Sequence, residues 1–170
     1  MSVKNHKLAM MCITSLVIFI IRSIFISRNE FQMKYNMSFN LSATLFFIGI
    51  SLLIAAGILV LNVSVNYFIV ESVVDKLCGI NLLEYGFKNT LYYIYLLAYC
   101  LTTIVSMFMK SIFPSADFVT MTTSLCNYLI VAYFLYFELK KIGVSRKINV
   151  LLTTTIFLGN CLTILYMLVR

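Results

Sequence analysis

The sequence predicts an all-α fold: a polytopic transmembrane helical bundle of five spans, forming a single membrane domain over residues 1–170. Three observations predict it. Hydrophobic residues make up 62% of the chain and charged residues 11%, against about 45–50% and about 25% in soluble domains. Mean hydropathy is +0.99. The apolar residues also gather into five long runs, and about 20 such residues cross a bilayer as a helix. None of the runs shows the strict alternation of a barrel strand.

The first span is predicted over 8–26; its late Arg22 can snorkel toward the headgroups. A loop and a second span follow it without a small-residue cleavage site, so it reads as a retained helix and not a signal peptide. The second span, 41–70, is long enough to tilt or to extend past the membrane. An interfacial connector, 71–89, leads to the third span at 90–109. The fourth covers 118–137 and the fifth 148–169. The outer turn "KSIFPSAD" holds the only proline, Pro114, where a turn is wanted.

Orientation follows the basic residues. With the N-terminus cytoplasmic, the inner segments carry Lys4, Lys7, Lys76, Lys88, Lys140, Lys141, Arg146 and Lys147, and the outer segments hold the remainder of the 13. The loop "ELKKIGVSRK" contributes most. Five spans then place the C-terminus outside. The net charge of +7 suits anchoring beside anionic lipid; no soluble basic face is left over for nucleic acid.

The inventory of reactive groups points away from catalysis. There is one histidine, His6, in the N-terminal tail, and a metal site needs several converging ligands. Cys12, Cys78, Cys100, Cys126 and Cys161 form no C-x-x-C pair; four lie in spans, where cysteine acts as a small hydrophobe. No phosphate-binding loop or H-E-x-x-H motif is present. The expectation is no enzyme activity, no catalytic residue, no metal and no cofactor.

Polar residues inside the spans are candidate contacts. Asn62 and Asn66 share a helix face, being four apart. Asn127 and Asn160 lie in spans four and five, and Tyr95 and Tyr99 lie deeper in span three than an interfacial belt needs. Amides in hydrocarbon find partners on other helices, so interhelical contacts are expected first and a ligand site second. The small residues Gly49, Ser51, Ala55, Ala56 and Gly57 predict close helix approach, within the chain before between chains. A chain of five helices is too small to enclose a wide pore alone, whereas a homo-oligomer could.

The connector is the chain's unusual stretch. "FIVESVVDKLCGI" runs into "YGFKNTL", which restarts a helix, followed by "YYIYLLAY". Gly79 and Gly86 bracket "INLLEY", whose apolar residues could lie in the interface plane. The charged residues Asp75, Lys76, Glu84 and Lys88, with Lys140, Lys141, Arg146 and Lys147 of the second inner loop, are candidate docking residues for a partner. Membrane anchoring accounts for the same charges.

From 67 onward, this order of features resembles the Yip family, the Ypt-interacting five-span membrane proteins, and especially their bacterial members. Gly86, Phe87, Lys88, Ala98 and Tyr99 match the family's connector and third-span pattern. Leu139, Ile142, Gly143, Ser145, Arg146 and Lys147 match its fourth-span loop. The family's proline after the Tyr-Ala pair is replaced by Cys100-Leu101-Thr102. The resemblance implies five spans, a cytosolic N-terminus, no enzyme activity and residence in a bacterial cytoplasmic membrane. It also implies a non-enzymatic accessory role beside a partner membrane complex, an ABC-type exporter or a peptide or toxin resistance system. The alternatives are a small-molecule, vitamin-like binding subunit of a transporter, and a trafficking or membrane-shaping protein. In the last case Asn36 and Asn40 would be glycosylation acceptors.

Overall fold

The apolar runs become five helices: α1 (Asn5–Tyr35), α2 (Leu41–Cys78), α3 (Phe87–Ile112), α4 (Ala116–Lys141) and α5 (Arg146–Val169). The computed structural model describes residues 5–35, 41–113 and 116–169, and holds no strand among them. Pro114, Asn36 and Asn40 lie outside the described residues. Among the described residues four helices are long and apolar enough to cross a membrane: Asn5–Phe25, Thr44–Cys78, Phe87–Lys110 and Asp117–Lys141. Their outer faces carry exposed Phe46, Leu53, Phe68 and Phe108, an apolar exterior of the kind a bilayer solvates.

α3 is the central helix. It packs against α1, α2 and α4, while α4 also packs against α5. Its buried positions Phe87, Leu91, Ile94, Tyr95 and Ala98 recur every three or four residues, the helical period of a core-facing stripe. α1 runs parallel to α3: Asn89 Nδ2 donates to Asn5 Oδ1 at 3.3 Å near the start of both helices, and Phe19 stacks on Tyr99 further along. Asn149 of α5 donates to the Tyr136 carbonyl of α4 at 2.8 Å.

Two helices run on past the ends predicted for their spans. Hydropathy ends the second span at 70, with the connector at 71–89, yet α2 continues to Cys78 and the connector shrinks to the residues between Cys78 and Phe87. The extra turns are amphipathic. Val70 and Val74 face the core while Asp75 and Lys76 face outward. At 38 residues α2 is about 57 Å long, well beyond a hydrocarbon core of roughly 30 Å. α1 likewise extends past 26, to Tyr35.

The connector is ordered by its glycines. Gly79 (φ 63°) ends α2, and its N–H donates to Asp75 O at 3.0 Å, the single bond of an αL cap. Residues 82–86 form one further turn, closed by Gly86 (φ 57°). Gly86 N–H donates to Leu83 O at 3.0 Å and Phe87 N–H to Leu82 O at 3.3 Å. Asn81 starts this turn: its Oδ1 accepts from Leu83 N–H at 3.1 Å and its Nδ2 donates to Glu84 at 3.3 Å. A side chain at either glycine would meet the left-handed penalty.

α4 ends in a Schellman motif. Val144 N–H donates to Leu139 O at 3.1 Å and Gly143 N–H to Lys140 O at 3.2 Å. The apolar contact that accompanies such motifs joins Val144 and Leu139, both in the core.

The predicted close approach at the small residues of α2 is not found within the chain. Nothing lies within 4 Å of a Cβ added at Gly49 or Gly57, and Ser51 and Ala56 are exposed. Ala55 is half-buried and, with Ala56, lines a cavity beside α1 and α3.

Candidate functional site

Two regions combine buried scaffolding with unspent polar chemistry. The first is the end of the bundle formed by the connector and the α4–α5 turn. These segments are some 60 residues apart in sequence, roughly three transmembrane lengths, yet Leu82, Phe87, Leu139 and Val144 belong to one buried cluster with Val70 and Val74. Apolar anchors therefore hold both loops in one face.

All eight docking candidates lie on this face. Asp75, Lys76, Glu84, Lys88, Lys140, Lys141, Arg146 and Lys147 are each exposed. Some already have local partners. Lys141 pairs with Glu138, the one ion pair among the described residues. Lys88 sets its ammonium 5.9 Å from the centre of the Tyr67 ring, a weak cation–π contact at an exposed site. Tyr67 in turn donates to Glu71 at 3.0 Å. The sequence reading missed this Lys88–Tyr67–Glu71 set, although the four-residue spacing of Tyr67 and Glu71 signals a same-face pair.

The remaining cations divide by their effect on the helices. Lys140 and Lys141 close α4, where a cation complements the helix dipole. Arg146 and Lys147 open α5, whose first turn has no acidic residue. Cations at that end oppose the dipole. Helix stability thus does not explain Arg146 and Lys147.

The second region is the polar cluster predicted from Asn62, Asn66, Tyr95, Tyr99, Asn127 and Asn160. The structure brings it together around α3. Asn66 Nδ2 donates to the Tyr95 hydroxyl across the α2–α3 interface, and Asn160 of α5 lies near the same hydroxyl. The Tyr95 phenol thus ties α2 to α3. Asn62, Tyr95, Tyr99 and Asn127 line a cavity of about 370 Å³ between α1, α2 and α3. Phe19, Leu52, Ala55 and Leu59 form much of its apolar wall. The Tyr99 hydroxyl and Asn127 Oδ1 are buried without a hydrogen-bond partner.

A further structural amide, Asn149, was not anticipated; it is buried at the start of α5 beneath the end face. Among the described residues no three of His, Cys, Asp and Glu converge on a metal-sized site, and the five cysteines are free thiols. The end face offers charge and hydrogen bonding, and the cavity offers shape with a few polar groups. Compared with protein-family models, with curated proteins and with solved structures, the chain matches none.

Proposed function

We propose that this chain is a non-enzymatic integral membrane accessory protein that docks a partner membrane complex through the end face. In this reading all five helices span a bacterial cytoplasmic membrane, and the N-terminus, the connector and the α4–α5 turn lie in the cytosol. The count of basic residues supports that orientation. The partner class is the one to which the Yip resemblance points, an ABC-type exporter or a peptide or toxin resistance system.

One observation carries the docking reading. Two loops distant in sequence are pinned by buried Leu82 and Val144 into one core, and the surface they share bears charges that the fold does not pair. A face that is rigid before binding loses little entropy on association. Complementary charge then sets register and partner choice. Arg146 and Lys147 add to this, because they sit where the helix dipole disfavours them.

The test keeps the basic count, and hence the insertion, unchanged. Tagged full-length protein is captured from native membranes in mild detergent, beside a variant carrying Asp75→Lys, Lys76→Asp, Glu84→Lys and Lys88→Glu. The wild type is expected to retain a defined membrane complex. The swapped face is expected to weaken that association by about ten-fold or more, since like charges are brought together. Equal recovery of the complex by both proteins would remove the connector from the interface.

A further inference from the structure

An open groove runs between α4 and α5 and ends at three cations of the α4–α5 turn. We propose that it seats one anionic phospholipid of the adjoining leaflet, with an acyl chain in the groove and the phosphate met by Lys140, Arg146 and Lys147.

Aromatic side chains build the groove. Tyr133, Tyr136 and Phe137 of α4 face Phe157 of α5 across about 460 Å³, with Ala132, Thr153 and Thr154 completing the lining. Ring centres are 4.7 Å apart for Tyr133 and Phe137, and 5.7 Å apart for Tyr136 and Phe137. Aromatic pairs at these separations attract one another, so the α4 wall is formed before anything binds. No charged residue lines the groove. Leu151 and Leu158 of α5 are exposed beside it, so it opens onto hydrocarbon.

The cations continue both walls toward one end. Helix residues three, four or seven apart share a face. Lys140 is three residues past Phe137 and four past Tyr136, while Arg146 is seven before Thr153 and Lys147 seven before Thr154. All three are exposed. Helical side chains lean toward the N-terminus of their helix, which for Lys140 is back over the mouth of the groove. Among the described residues none of the three is in an ion pair, and the neighbouring acid, Glu138, is held by Lys141.

Depth and charge together select the occupant. Tyr136 is five residues from the end of α4, about 7.5 Å along the axis. Phe157 is eleven residues from the start of α5, about 16.5 Å. The groove therefore runs from the headgroup zone into the hydrocarbon core. A soluble anion would satisfy the cations and leave the groove empty. A neutral lipid would fill the groove and leave the cations unmatched. An anionic phospholipid does both, and it gives Arg146 and Lys147, which the α5 dipole disfavours, a counter-charge. The site borders the docking face and rests on the same reading, that this end of the bundle lies at a membrane surface.

The chain has no tryptophan, so Phe157→Trp places a single fluorophore in the groove wall; Tyr133→Trp, at an exposed position, is the second reporter. Each full-length variant is placed in phosphatidylcholine nanodiscs and titrated with phosphatidylglycerol or phosphatidylcholine carrying brominated acyl chains, which quench the indole on contact. Brominated phosphatidylglycerol is expected to quench at a mole fraction lower by about five-fold or more. Lys140→Gln, Arg146→Gln and Lys147→Gln together should abolish that preference. Lys7→Gln, Lys76→Gln and Lys88→Gln remove the same charge from the same end, away from the groove, and should retain it. Thr154→Phe, at an exposed position of the lining, should lower quenching by both lipids. Thermal unfolding matched to the reporter parent separates lost binding from lost fold. Equal quenching by the two lipids overturns the proposal, and is the result for a groove kept for a partner's helix. Equal loss of preference in the two neutralised variants overturns it in favour of diffuse attraction to the surface. Quenching unchanged by Thr154→Phe overturns it as well. Nanodiscs offer the same lipids on both faces, so the result does not depend on which end is cytosolic. The connector charge swap should keep the lipid preference, so failure of this site and failure of partner docking are told apart.

Discussion

Leu82→Ala is expected to destabilise the protein by about 2–5 kcal/mol, while Leu83→Ala next to it should change stability by less than about 0.5 kcal/mol. The two leucines are adjacent in the connector, but Leu82 is 1% exposed and Leu83 is 68% exposed. Leu82 belongs to the cluster that includes Val74, Phe87, Leu139 and Val144, so its truncation leaves a void that several elements share. It also lies between two candidate spans, at the watery end of the bundle. There the full transfer term applies, in contrast to a lipid-facing leucine, for which lipid is as good a solvent as the protein interior. Thermal unfolding in detergent gives the comparison. Equal shifts for the two variants would mean that the connector is not anchored. Capture of the partner complex should fall with Leu82→Ala and not with Leu83→Ala, because the face depends on that anchor.

Tyr95→Phe should cost about 1–2 kcal/mol, in contrast to Tyr99→Phe. The Tyr95 hydroxyl accepts from Asn66. Its removal strands a buried amide of α2. The Tyr99 hydroxyl has no internal partner, and Tyr99→Phe keeps the ring that stacks on Phe19. Equilibrium unfolding of Asn66→Leu, Tyr95→Phe and the double variant should show the double costing less than the sum, with a coupling of about 0.5–1.5 kcal/mol. Additive losses, or equal losses for Tyr95→Phe and Tyr99→Phe, would contradict the geometry.

The helices were legible because their signal is run length and composition. The continuation of α2 past 70 was not, because Glu71, Asp75 and Lys76 lower hydropathy while Val70 and Val74 continue the buried stripe. The periodic signal outlasts the hydropathic one. Gly79 and Gly86 were read correctly as breaks, since a positive φ is a local demand that the sequence states directly. Which helix the small residues of α2 face was not legible: Gly49 and Gly57 define a stripe, but its neighbour depends on tertiary packing. The polar cluster was half legible. That Asn66 and Tyr95 need partners follows from hydrocarbon; that they choose each other depends on how α2 and α3 meet. The cavity and its two orphaned atoms left no one-dimensional trace.

The central claim is that five spanning helices gather the N-terminus, the connector and the α4–α5 turn on one cytosolic face. Single cysteines placed by His6→Cys, Glu84→Cys and Lys147→Cys, with Cys12, Cys78, Cys100, Cys126 and Cys161 replaced, test it with a membrane-impermeant maleimide. All three positions are exposed, so reactivity reports sidedness alone. The account predicts labelling of all three in inside-out vesicles and of none in intact cells. Labelling of any one from outside the cell, or of Glu84→Cys and Lys147→Cys from opposite sides, would contradict it.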